Sequence, residues 1–389
     1  MAARYDAVVV GAGPAGLMAA RKIAKRGFTV LMLEKDRDFG VRTCAEAVSE
    51  TAFKTAEIPV TQSLISNTVE GALVFPPNES KGVRIAGEHY RGYILNKPLF
   101  LSALAKEAVA AGADLQMRSE VKTITMDGGK ATKITYEQKG ELKDAEFKVL
   151  VGADGVGSIV AKSCGFDLSG YALIPTMQYV MVNCNVPEGH MIRIYMGREV
   201  APLGYAWVFS KNEFMANVGI GVRGRPAKPY LDKFIASHPE FFGKAKAVKE
   251  GGGGVPCGGQ IREVVRSNVV LCGDSAGQVI PITGGGIRTS MAAGSISGDF
   301  VAKALEAGDM SAMSGYPSSY SDYWGSRISK SLKVLRAIEE MSDDDLNALG
   351  SVLSGEDVVD LANGLDFKRV ASKLMMHPVL AMKLASKLL

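Results

Sequence analysis

Three glycines near the start of the chain have the spacing of a dinucleotide-binding turn. Gly11, Gly13 and Gly16 follow directly on the apolar run 5–10, and Glu34 ends the next apolar run. In such a βαβ unit the first glycine permits a tight turn, the second lets a pyrophosphate approach the backbone, and the third lets helix and strand pack closely. The acid accepts hydrogen bonds from the adenosine ribose. The motif therefore predicts a bound dinucleotide, either FAD or NAD.

Two later carboxylates, each just after an apolar run, favour FAD. Asp154 follows the run 149–151, and Asp274 follows the run 269–271. The glycine-rich segment 281–287 then leads into a helix pattern of small residues. A carboxylate at a strand end can hold a ribityl hydroxyl, and a helix N-terminus stabilises the electron-rich edge of a reduced isoalloxazine ring. We therefore expect Asp274 and the segment 281–287 to bind a flavin.

Three aromatic residues alternate with smaller ones in Tyr205-Ala206-Trp207-Val208-Phe209. On a strand, alternate side chains project from the same face. The three rings therefore form either an apolar wall for a hydrophobic substrate or part of an ordinary sheet core. Gly219 and Gly221, which follow in the next strand pattern, favour the substrate wall.

The nucleotide motifs resemble those of the flavoprotein hydroxylase superfamily, whose members bind FAD. Four further segments resemble the geranylgeranyl reductase family, namely the cysteine loop 42–47, the aromatic strand with Gly219 and Gly221, the glycine loop 281–287, and the stretch 341–346. The resemblance covers essentially the whole chain and is closest to archaeal enzymes that act on digeranylgeranylglycerophospholipids. It implies an FAD-dependent reductase that saturates isoprenoid double bonds of archaeal membrane lipids with hydride from N5 of the reduced flavin.

The same resemblance implies roles for individual residues. Cys44 would face the flavin and is the candidate catalytic residue, gating the substrate or relaying a proton, although a free cysteine is more often a small buried hydrophobe. Glu46 is a weaker candidate acid. The residues implied in cofactor binding are Gly11, Gly13, Ala15, Gly16, Glu34, Cys44, Ala45, Ala47, Lys97, Val121, Asp274, Gly286 and Ile287. Those implied in substrate binding are Tyr205, Trp207, Phe209, Gly219 and Gly221.

The chain departs from the family pattern at three places. Ala47 replaces a glycine of the cysteine loop, Ser210 replaces a proline of the aromatic motif, and Asn96-Lys97 stands where relatives usually have arginine. Lys97 can still reach a flavin phosphate as a point charge, although it lacks the planar fork of arginine. Ala47 argues against a tight approach of the backbone to the flavin ring. None of these changes removes the expected flavin site.

The elements that position these residues are discontinuous in sequence. The resemblance implies an α/β fold with an FAD-binding Rossmann-like domain of the p-hydroxybenzoate hydroxylase type, an inserted antiparallel-sheet substrate domain and a helical C-terminal region. We place the FAD-binding domain at 1–60, 95–165 and 260–305, the substrate domain at 61–94 and 166–259, and the helical region at 306–389. A predicted strand over 115–124 carries Val121, and the glycines 251–254 are interpreted as a flexible crossover between the domains.

The composition excludes several classes of function. Of 389 residues, 47% are hydrophobic and 22% charged, which is typical of globular proteins. The net charge of +4 comes without the clustered basic residues of a nucleic-acid-binding protein. Five cysteines without a CxxC motif and four scattered histidines, none expected to pair with a carboxylate, argue against a metal site or a disulfide framework. The longest uncharged run, 168–187, contains too many polar residues to span a bilayer.

The expected partners are a polyprenyl (geranylgeranyl) lipid and an external electron donor. Because the sequence has no second GxGxxG unit to hold a nicotinamide, we expect ferredoxin or a reduced deazaflavin as the donor, with NAD(P)H as the alternative. The cysteine usage and the absence of a secretory pattern predict a cytoplasmic protein. Basic residues among apolar ones near the C-terminus indicate either peripheral contact with anionic lipid or a solvated helix face: Lys368, Arg369, Lys373, Lys383 and Lys387.

Two other functions stay open on the same scaffold. The first is a flavin monooxygenase or halogenase, which the aromatic motif disfavours. The second is an electron-transfer flavoprotein, which would usually carry a cysteine cluster for an iron–sulfur centre, and the sequence has none. Both alternatives would keep the FAD site and change the role of the aromatic strand.

Overall fold

The computed structural model describes residues 3–363, 365 and 367–374, which form two large sheets, one small sheet and a set of helices. The strands are β1 (Ala3–Val10), β2 (Val30–Glu34), β3 (Ala47–Ser49), β4 (Ile65–Val69), β5 (Gly71–Phe75), β6 (Val83–Ala86), β7 (Gly92–Leu95), β8 (Asp114–Met117), β9 (Ser119–Asp127), β10 (Lys130–Gln138), β11 (Glu141–Gly152), β12 (Leu173–Val182), β13 (Met191–Met196), β14 (Tyr205–Ser210), β15 (Met215–Gly221), β16 (Lys246–Pro256), β17 (Val265–Arg266) and β18 (Val269–Leu271). The helices are α1 (Pro14–Lys25), α2 (Thr51–Ala56), α3 (Lys97–Ala110), α4 (Ile159–Ser163), α5 (Ala227–Ala236), α6 (Pro239–Phe242), α7 (Ile287–Ala307), α8 (Gly315–Tyr320), α9 (Ser326–Glu340), α10 (Asp343–Val352), α11 (Gly355–Asn363) and α12 (Phe367–Leu374). A π-helical turn, Ser321–Gly325, joins α8 to α9.

The first sheet provides the strand ends at which the predicted nucleotide residues lie. Its strands run in the order β17, β18, β11, β1, β2, β8, and the hairpin of β9 and β10 continues antiparallel from β11. Strand β1 is parallel to β2 and β11, and β11 is parallel to β18. Residues 7–10 and 30–33 are buried, as expected for parallel strands covered on both faces. The carboxyl ends of β1, β2 and β18 therefore meet at one edge.

Helices α1 and α7 cross at very close range near the beginning of α1. A Cβ atom at Gly294 would lie 2.0 Å from the backbone oxygen of Ala15, and one at Gly298 would lie 2.7 Å from that of Ala19. Any larger residue at these two glycines would push the helices apart. The small residues that follow the glycine loop thus serve helix packing, and this crossing directs the N-termini of both helices to the same edge of the sheet.

The second sheet faces that edge. Its strands run in the order β16, β12, β15, β14, β13, β5, β6, and every neighbouring pair is antiparallel except β13 with β5. Helix α5 packs on β12 and β15 through buried Leu231 and Phe234. A small antiparallel sheet in the order β3, β7, β4 pairs the segment after the cysteine loop with two strands from residues 65–95. The cysteine loop is therefore anchored next to the second sheet.

The glycines 251–254 do not form the flexible crossover that the sequence predicts. They lie in β16, which pairs antiparallel with β12 from Lys246 to Pro256. Glycine is unfavourable in strands, so a run of four hides this strand from a propensity argument. The structure shows why small residues occur here, because a Cβ atom at Gly251 would lie 2.1 Å from Oγ1 of Thr43. The glycines let the cysteine loop lie against the sheet edge.

The prediction of a single strand over 115–124 is wrong, because the chain forms two strands there. Strand β8 pairs parallel with β2, whereas β9 pairs antiparallel with β10. Between them Arg118 adopts a positive φ of 53°, which turns the chain from one partner to the other. Val121 lies in β9 and is buried.

The C-terminal helices form a small apolar core of their own around Val334, Met341, Leu349 and Leu361. Helix α11 also contacts β6 at the edge of the second sheet. The basic residues Lys383 and Lys387 and the apolar positions beyond residue 374 lie outside the described residues. Within the described ranges, no helix has the length and apolar character needed to cross a membrane.

The expectation that no histidine pairs with a carboxylate is wrong for His238. Its Nε2 lies 3.1 Å from Oε2 of Glu79, and its Nδ1 lies 2.9 Å from the carbonyl oxygen of Phe234. Glu79 stands 159 positions away, in the loop between β5 and β6, so no local pattern reveals this pair. The pair connects that loop to the end of α5.

Candidate active site

The three glycines of the first turn have different surroundings. Gly11 adopts a φ of +97°, and a Cβ atom there would lie 2.4 Å from the backbone oxygen of Ala153. A Cβ atom at Gly16 would lie 1.9 Å from the backbone oxygen of Gly11, whereas one at Gly13 would meet no atom within 4 Å. Gly11 and Gly16 are thus required by the fold. Gly13 leaves open space at the N-terminus of α1, where free N–H groups and the helix dipole favour a phosphate.

Glu34 and Val121 line a cavity that also borders Gly11 and Gly13. The carboxylate of Glu34 accepts hydrogen bonds from the backbone N–H groups of Ala12 and Asp36, both at 2.8 Å. These bonds fix the carboxylate at the end of β2, and each of its oxygens keeps a lone pair for a further donor. This placement suits an acid that accepts ribose hydroxyls.

Asp274 lies where the carboxyl end of β18 meets the N-terminus of α7. Its side chain lines the cavity 3.4 Å from the Cβ position of Gly286, and it has no hydrogen-bond partner among the described residues. Burial raises the pKa of this carboxyl, and the positive charge of Lys97 opposes that shift. A half-buried acceptor that faces the cavity without a protein partner fits a ligand that supplies hydroxyl donors, such as a ribityl chain.

Lys97 is buried at the beginning of α3, and its Nζ donates a hydrogen bond of 2.8 Å to the carbonyl oxygen of Arg42. Arg42 itself makes two hydrogen bonds to the carboxylate of Asp36, at 3.0 and 3.1 Å. Both cations line the cavity. Lys97 therefore supplies a positive charge inside the site and at the same time supports the start of the cysteine loop.

Cys44 is half-buried and lines the cavity. Its Sγ accepts a hydrogen bond of 3.3 Å from the backbone N–H of Glu46. The carbonyl oxygens of Cys44 and Ala45 accept hydrogen bonds of 3.1 Å from the side chains of Gln178 and Asn217, respectively. Both amides belong to strands of the second sheet, so that sheet fixes the backbone of the cysteine loop.

Glu46 adopts a positive φ of 70°, which is uncommon for a residue other than glycine. Its carboxylate forms an ion pair with Lys211 and accepts a hydrogen bond of 3.0 Å from Asn217. Ala47, next in the chain, lies in β3 and pairs with Ile94. The left-handed turn thus falls one residue before Ala47, and Ala47 itself has ordinary strand geometry.

The three aromatic residues of β14 line the cavity from one face of the strand, as the alternation predicts. Trp207 and Phe209 are buried, and the indole Nε1 donates a hydrogen bond of 3.1 Å to Gln178. The hydroxyl of Tyr205 donates a hydrogen bond of 2.5 Å to the carbonyl oxygen of Thr283. This contact ties the aromatic wall to the glycine loop.

The two predicted substrate glycines differ in their surroundings. A Cβ atom at Gly219 would lie 2.3 Å from the Trp207 ring, so glycine is needed there to seat the indole. Gly221 lines the cavity, and its Cβ position has only ordinary contacts at 3.4 Å or more. Gly286 and Ile287, at the start of α7, line the same cavity opposite these strands.

The cofactor and substrate residues expected from the sequence, apart from Gly16 and Gly219, border a single cavity of about 1300 Å³. A site for one small molecule usually measures about 300–1,000 Å³, so this cavity has room for a dinucleotide and a second ligand. Beyond the aromatic wall its lining becomes apolar, with contributions from β13 and the C-terminal helices: Ile192, Ile194, Ile338, Met341, Val358 and Val359. The cavity thus joins a nucleotide cradle to an apolar chamber.

Sequence reasoning missed the polar side chains beneath the cysteine loop. Gln178, Asn217 and Lys211 carry no motif of their own, and their partners lie 134 to 172 positions away. The one local signal is that Gln178 and Asn217 are polar residues within otherwise apolar strand patterns. Buried amides of this kind usually have a defined hydrogen-bond partner.

Comparison with known proteins places this site in a family context. The family described as "FAD binding domain" matches residues 4–316. The digeranylgeranylglycerophospholipid reductase 2 of Methanopyrus kandleri is 32% identical over 99% of both chains. The digeranylgeranylglycerophospholipid reductase of Methanothrix thermoacetophila is 36% identical over 91% of this chain and 93% of its own.

Solved structures show the same architecture. A geranylgeranyl bacteriochlorophyll reductase-like protein from Thermoplasma acidophilum is 29% identical, covers 100% of both chains and superposes with a TM-score of 0.89. A flavin-dependent brominase is 17% identical over 93% of this chain and 94% of its own, with a TM-score of 0.73, and at that identity it shows the fold alone. No cluster of residues suited to a metal ion occurs in the part of the chain that the structure describes.

Proposed function

This chain belongs to the digeranylgeranylglycerophospholipid reductase family, and from that membership we propose that it saturates geranylgeranyl double bonds of archaeal membrane lipids. Its cofactor is FAD. The observation that carries the proposal is the continuity of the cavity, in which a dinucleotide cradle opens onto an aromatic and apolar chamber. Such a chamber suits a polyprenyl chain, because every isoprene unit is apolar.

We propose that the cradle residues hold FAD in the roles their surroundings support. The N-terminus of α1 above Gly13 would receive the pyrophosphate, Glu34 the adenosine ribose, and Asp274 the ribityl chain. Reduced FAD supplies a hydride from its N5 atom when bound. The start of α7, at Gly286 and Ile287, would stabilise negative charge on the flavin through its free N–H groups.

The rest of the cavity must bind the alkene, exclude water and provide a proton. Saturation adds a hydride to one carbon of the double bond and a proton to the other. Tyr205, Trp207 and Phe209 would hold the chain by apolar contact, and the buried rings of Trp207 and Phe209 would keep water away from the reacting carbons. Two hydrogen bonds, from Trp207 to Gln178 and from Tyr205 to Thr283, keep the wall rigid.

We propose Cys44 as the residue that gates the substrate or relays the proton. The position of Cys44 supports this role, because its thiol lines the cavity on a loop that Gln178 and Asn217 hold in place. Glu46 is less suited to the role of acid, since its carboxylate already has Lys211 and Asn217 as partners. We expect Cys44→Ser to lower turnover at least tenfold while FAD content stays unchanged. Full turnover in this variant would remove Cys44 from the mechanism.

We propose that electrons come from a separate carrier, ferredoxin or a reduced deazaflavin, and that the protein is cytoplasmic and touches the membrane peripherally. The donor proposal is supported by the absence of a second dinucleotide motif in the sequence. NADPH oxidation coupled to product formation at physiological concentration would contradict it. Co-sedimentation with anionic vesicles, but not with neutral ones, is the expected result for membrane contact.

We also propose that the functional domains follow the division at 1–60, 95–165 and 260–305, at 61–94 and 166–259, and at 306–389. The sheets support it, since the strands of the first sheet fall in the first set of segments and those of the second sheet in the second set. Hydrogen exchange on the holoenzyme tests this division, because each proposed domain should exchange as its own cooperative unit.

The experiment that tests the function is an anaerobic incubation. The purified holoenzyme is reduced with dithionite and given a digeranylgeranyl glycerophospholipid, and the extracted lipid is examined by mass spectrometry. We expect mass gains in steps of two hydrogens together with reoxidation of the flavin. An unchanged lipid, with flavin that stays reduced until oxygen is admitted, would contradict the reductase and favour a monooxygenase.

A further inference from the structure

Two arginines on the lining of the cavity have no acidic partner. Arg288, in the first turn of α7, and Arg327, in the first turn of α9, both line the cavity and are half-buried. Within the described ranges neither guanidinium lies within 4.0 Å of a carboxylate. The single hydrogen bond found for this pair joins Nε of Arg288 to Oγ1 of Thr55, at 3.4 Å. Two other arginines of the cavity lining are held by protein groups, Arg42 by the Asp36 carboxylate and Arg198 by the carbonyl oxygens of Glu339 and Met341. Arg91 also lines the cavity, but it is exposed and lies over no aromatic ring among the described residues.

Both guanidinium groups lie against aromatic rings of the π-helical turn. The Cζ atom of Arg327 is 4.2 Å from the centroid of the Tyr323 ring, and that of Arg288 is 5.9 Å from the same centroid and 5.0 Å from that of Trp324. The π-helical turn shifts the register between α8 and α9, and such turns occur frequently at functional sites. Here the turn presents its aromatic residues to both arginines.

This arrangement leaves the hydrogen-bonding edges of the guanidinium groups available. Stacking on an aromatic ring occupies the face of a guanidinium, whereas its N–H donors point outward in the plane. Two positive charges held against one ring also repel each other, and an anion bound at their edges relieves this repulsion. Planar arginine forks bind phosphate oxygens through pairs of charge-assisted hydrogen bonds. The cluster therefore has the chemistry of a phosphate site.

The position of the cluster identifies the kind of phosphate compound. Tyr323 is 45% exposed, and Thr283 and Gly285 in the adjoining glycine loop are also exposed, so the cluster stands where the cavity meets solvent. Further along the same cavity the lining is apolar, with Ile338, Val358 and Val359. A ligand that spans both regions has an anionic head and a hydrocarbon chain.

We propose that Arg288 and Arg327 bind the phosphate of the polyprenyl lipid substrate while its chain lies in the apolar part of the cavity. The proposal rests on the proposed function, which it extends from the chain to the head group. The phosphate could belong to a glycerophospholipid or to the diphosphate of a free prenyl alcohol, and the two share the chemistry that the arginine forks recognise.

The test measures binding to the oxidised holoenzyme, which needs no turnover. Titration calorimetry compares four ligands, namely digeranylgeranylglyceryl phosphate, digeranylgeranylglycerol, geranylgeranyl diphosphate and geranylgeraniol. The variants are R288Q, R327Q, R288K and R327K, with R225Q as the matched control, because Arg225 is exposed and does not line the cavity. The lysine variants keep the charge and lose the planar fork. Flavin absorbance and thermal denaturation are recorded for each protein.

We expect each glutamine variant to weaken binding of a phosphorylated lipid at least tenfold and to leave binding of its alcohol unchanged. The lysine variants should lose less, and R225Q should bind like the wild type. The phosphorylated lipid whose binding the glutamine variants weaken more carries the head group that the site accommodates better. Equal losses for phosphate and alcohol, no loss at all, or release of FAD with unchanged lipid binding would each overturn the proposal. Failure of the proposed function appears separately, as wild-type protein that binds these lipids but does not reduce them.

Discussion

Gly13 and Gly16 are three residues apart, yet alanine should act differently at each. A Cβ atom at Gly16 would lie 1.9 Å from the backbone oxygen of Gly11 and overlap it. Gly16→Ala is therefore expected to lower the free energy of unfolding by about 1–3 kcal/mol. Gly13 has an extended backbone and open space around its Cβ position, so Gly13→Ala should leave the apoprotein as stable as the wild type. Its new methyl group would instead stand where the pyrophosphate approaches, and FAD affinity should fall at least tenfold.

Thermal denaturation of the apoproteins and fluorescence titration with FAD separate these two effects. Gly13→Ala serves as the stability control for Gly16→Ala, since both add one methyl group to the same turn. Gly13 would have no special role in FAD binding if Gly13→Ala lowered the melting temperature of the apoprotein as much as Gly16→Ala does, or if it bound FAD like the wild type.

The ion pair between Lys211 and Glu46 should contribute more to stability than ion pairs on the surface. Its side chains are 17% and 13% exposed, and Lys211→Met would leave the carboxylate of Glu46 with Asn217 as its remaining partner. Breaking a buried pair on one side costs about 3–5 kcal/mol, and the partial exposure here places the expected loss at the lower end. Urea denaturation measures this loss.

The matched control for Lys211→Met is Lys233→Met. Lys233 pairs with Glu199 at 3.2 Å on the surface, with side chains 63% and 87% exposed, and such pairs contribute about 0–1 kcal/mol. We expect Lys211→Met also to speed alkylation of Cys44, because Glu46 supports the cysteine loop. Equal destabilisation by the two substitutions would show that the pair in the site contributes no more than a surface pair.

At the scale of residues, the sequence identifies groups that act through local spacing. Gly11, Gly13 and Glu34 are recognisable because the turn and both strands lie within one continuous stretch of about 30 residues. Gln178 and Asn217 are not recognisable, because their function depends on the cysteine loop, which is far from them in sequence. A buried amide acquires its role from tertiary contacts, and these are invisible in a single strand pattern.

At the scale of elements, the packing of β14 against β15 should be disturbed by alanine at Gly219 but should tolerate alanine at Gly221. A Cβ atom at Gly219 would lie 2.3 Å from the Trp207 ring, so Gly219→Ala must displace the indole and weaken its hydrogen bond to Gln178. The Cβ position of Gly221 has contacts of 3.4 Å and more, so Gly221→Ala should be accommodated. We expect Gly219→Ala to raise the KM for lipid several-fold with FAD affinity unchanged, and Gly221→Ala to change KM less than twofold.

Steady-state assays with a digeranylgeranyl lipid and intrinsic tryptophan fluorescence test this expectation together. The fluorescence of Trp207 should change in Gly219→Ala and stay the same in Gly221→Ala. If both variants had the KM and the fluorescence of the wild type, the indole would have enough freedom to move, and the aromatic wall would not be rigid.

Strand β16 shows why some elements escape prediction. Most strands of this protein can be predicted from a run of apolar residues or from alternating residues, as β1 and β13 can. The glycines of β16 have low strand propensity, and their reason for being glycine is the approach of Thr43 from the cysteine loop. Its pairing partner β12 lies about 70 positions earlier, so the strand forms through a long-range contact. A segment with low strand propensity and a distant pairing partner is therefore predicted to be a loop.

At the scale of the whole molecule, the cavity depends on segments that are far apart in sequence. The first sheet supplies the cradle, the second sheet supplies the aromatic wall, and helices α9 and α11 close the apolar part. The motifs predict the first two components because each has a local signature. The contact between α11 and β6 has no such signature, and the sequence therefore indicates that C-terminal helices exist without indicating what they cover.

The pair formed by His238 and Glu79 should make the stability of the molecule depend on pH. Burial alone would lower the pKa of His238, but the hydrogen bonds that the ring makes to the Glu79 carboxylate and to the carbonyl oxygen of Phe234, together with the charges of Glu79 and Glu240, raise it above its usual value. The guanidinium of Arg193 lies over the Phe241 ring, 5.4 Å from its centroid, and that ring lies beside the His238 imidazole. When it is protonated, the imidazole donates from both nitrogens, to the Glu79 carboxylate and to the carbonyl oxygen of Phe234.

Because the pKa of His238 is higher in the folded state than the value of about 6.5 in an unfolded chain, the pair stabilises the fold fully below that pH. The contribution is lost as pH rises through the folded-state pKa. We expect the melting temperature of the wild type to fall between pH 6 and pH 8.5 by more than that of His238→Gln, whose side chain does not titrate. A second control, His190→Gln, should keep the wild-type pH dependence, because His190 lies 4.0 Å from Glu70 with both side chains about half-exposed. Identical pH profiles for the wild type and His238→Gln would mean that the imidazole is neutral in the folded protein, and that Glu79 holds its loop without a charge on His238.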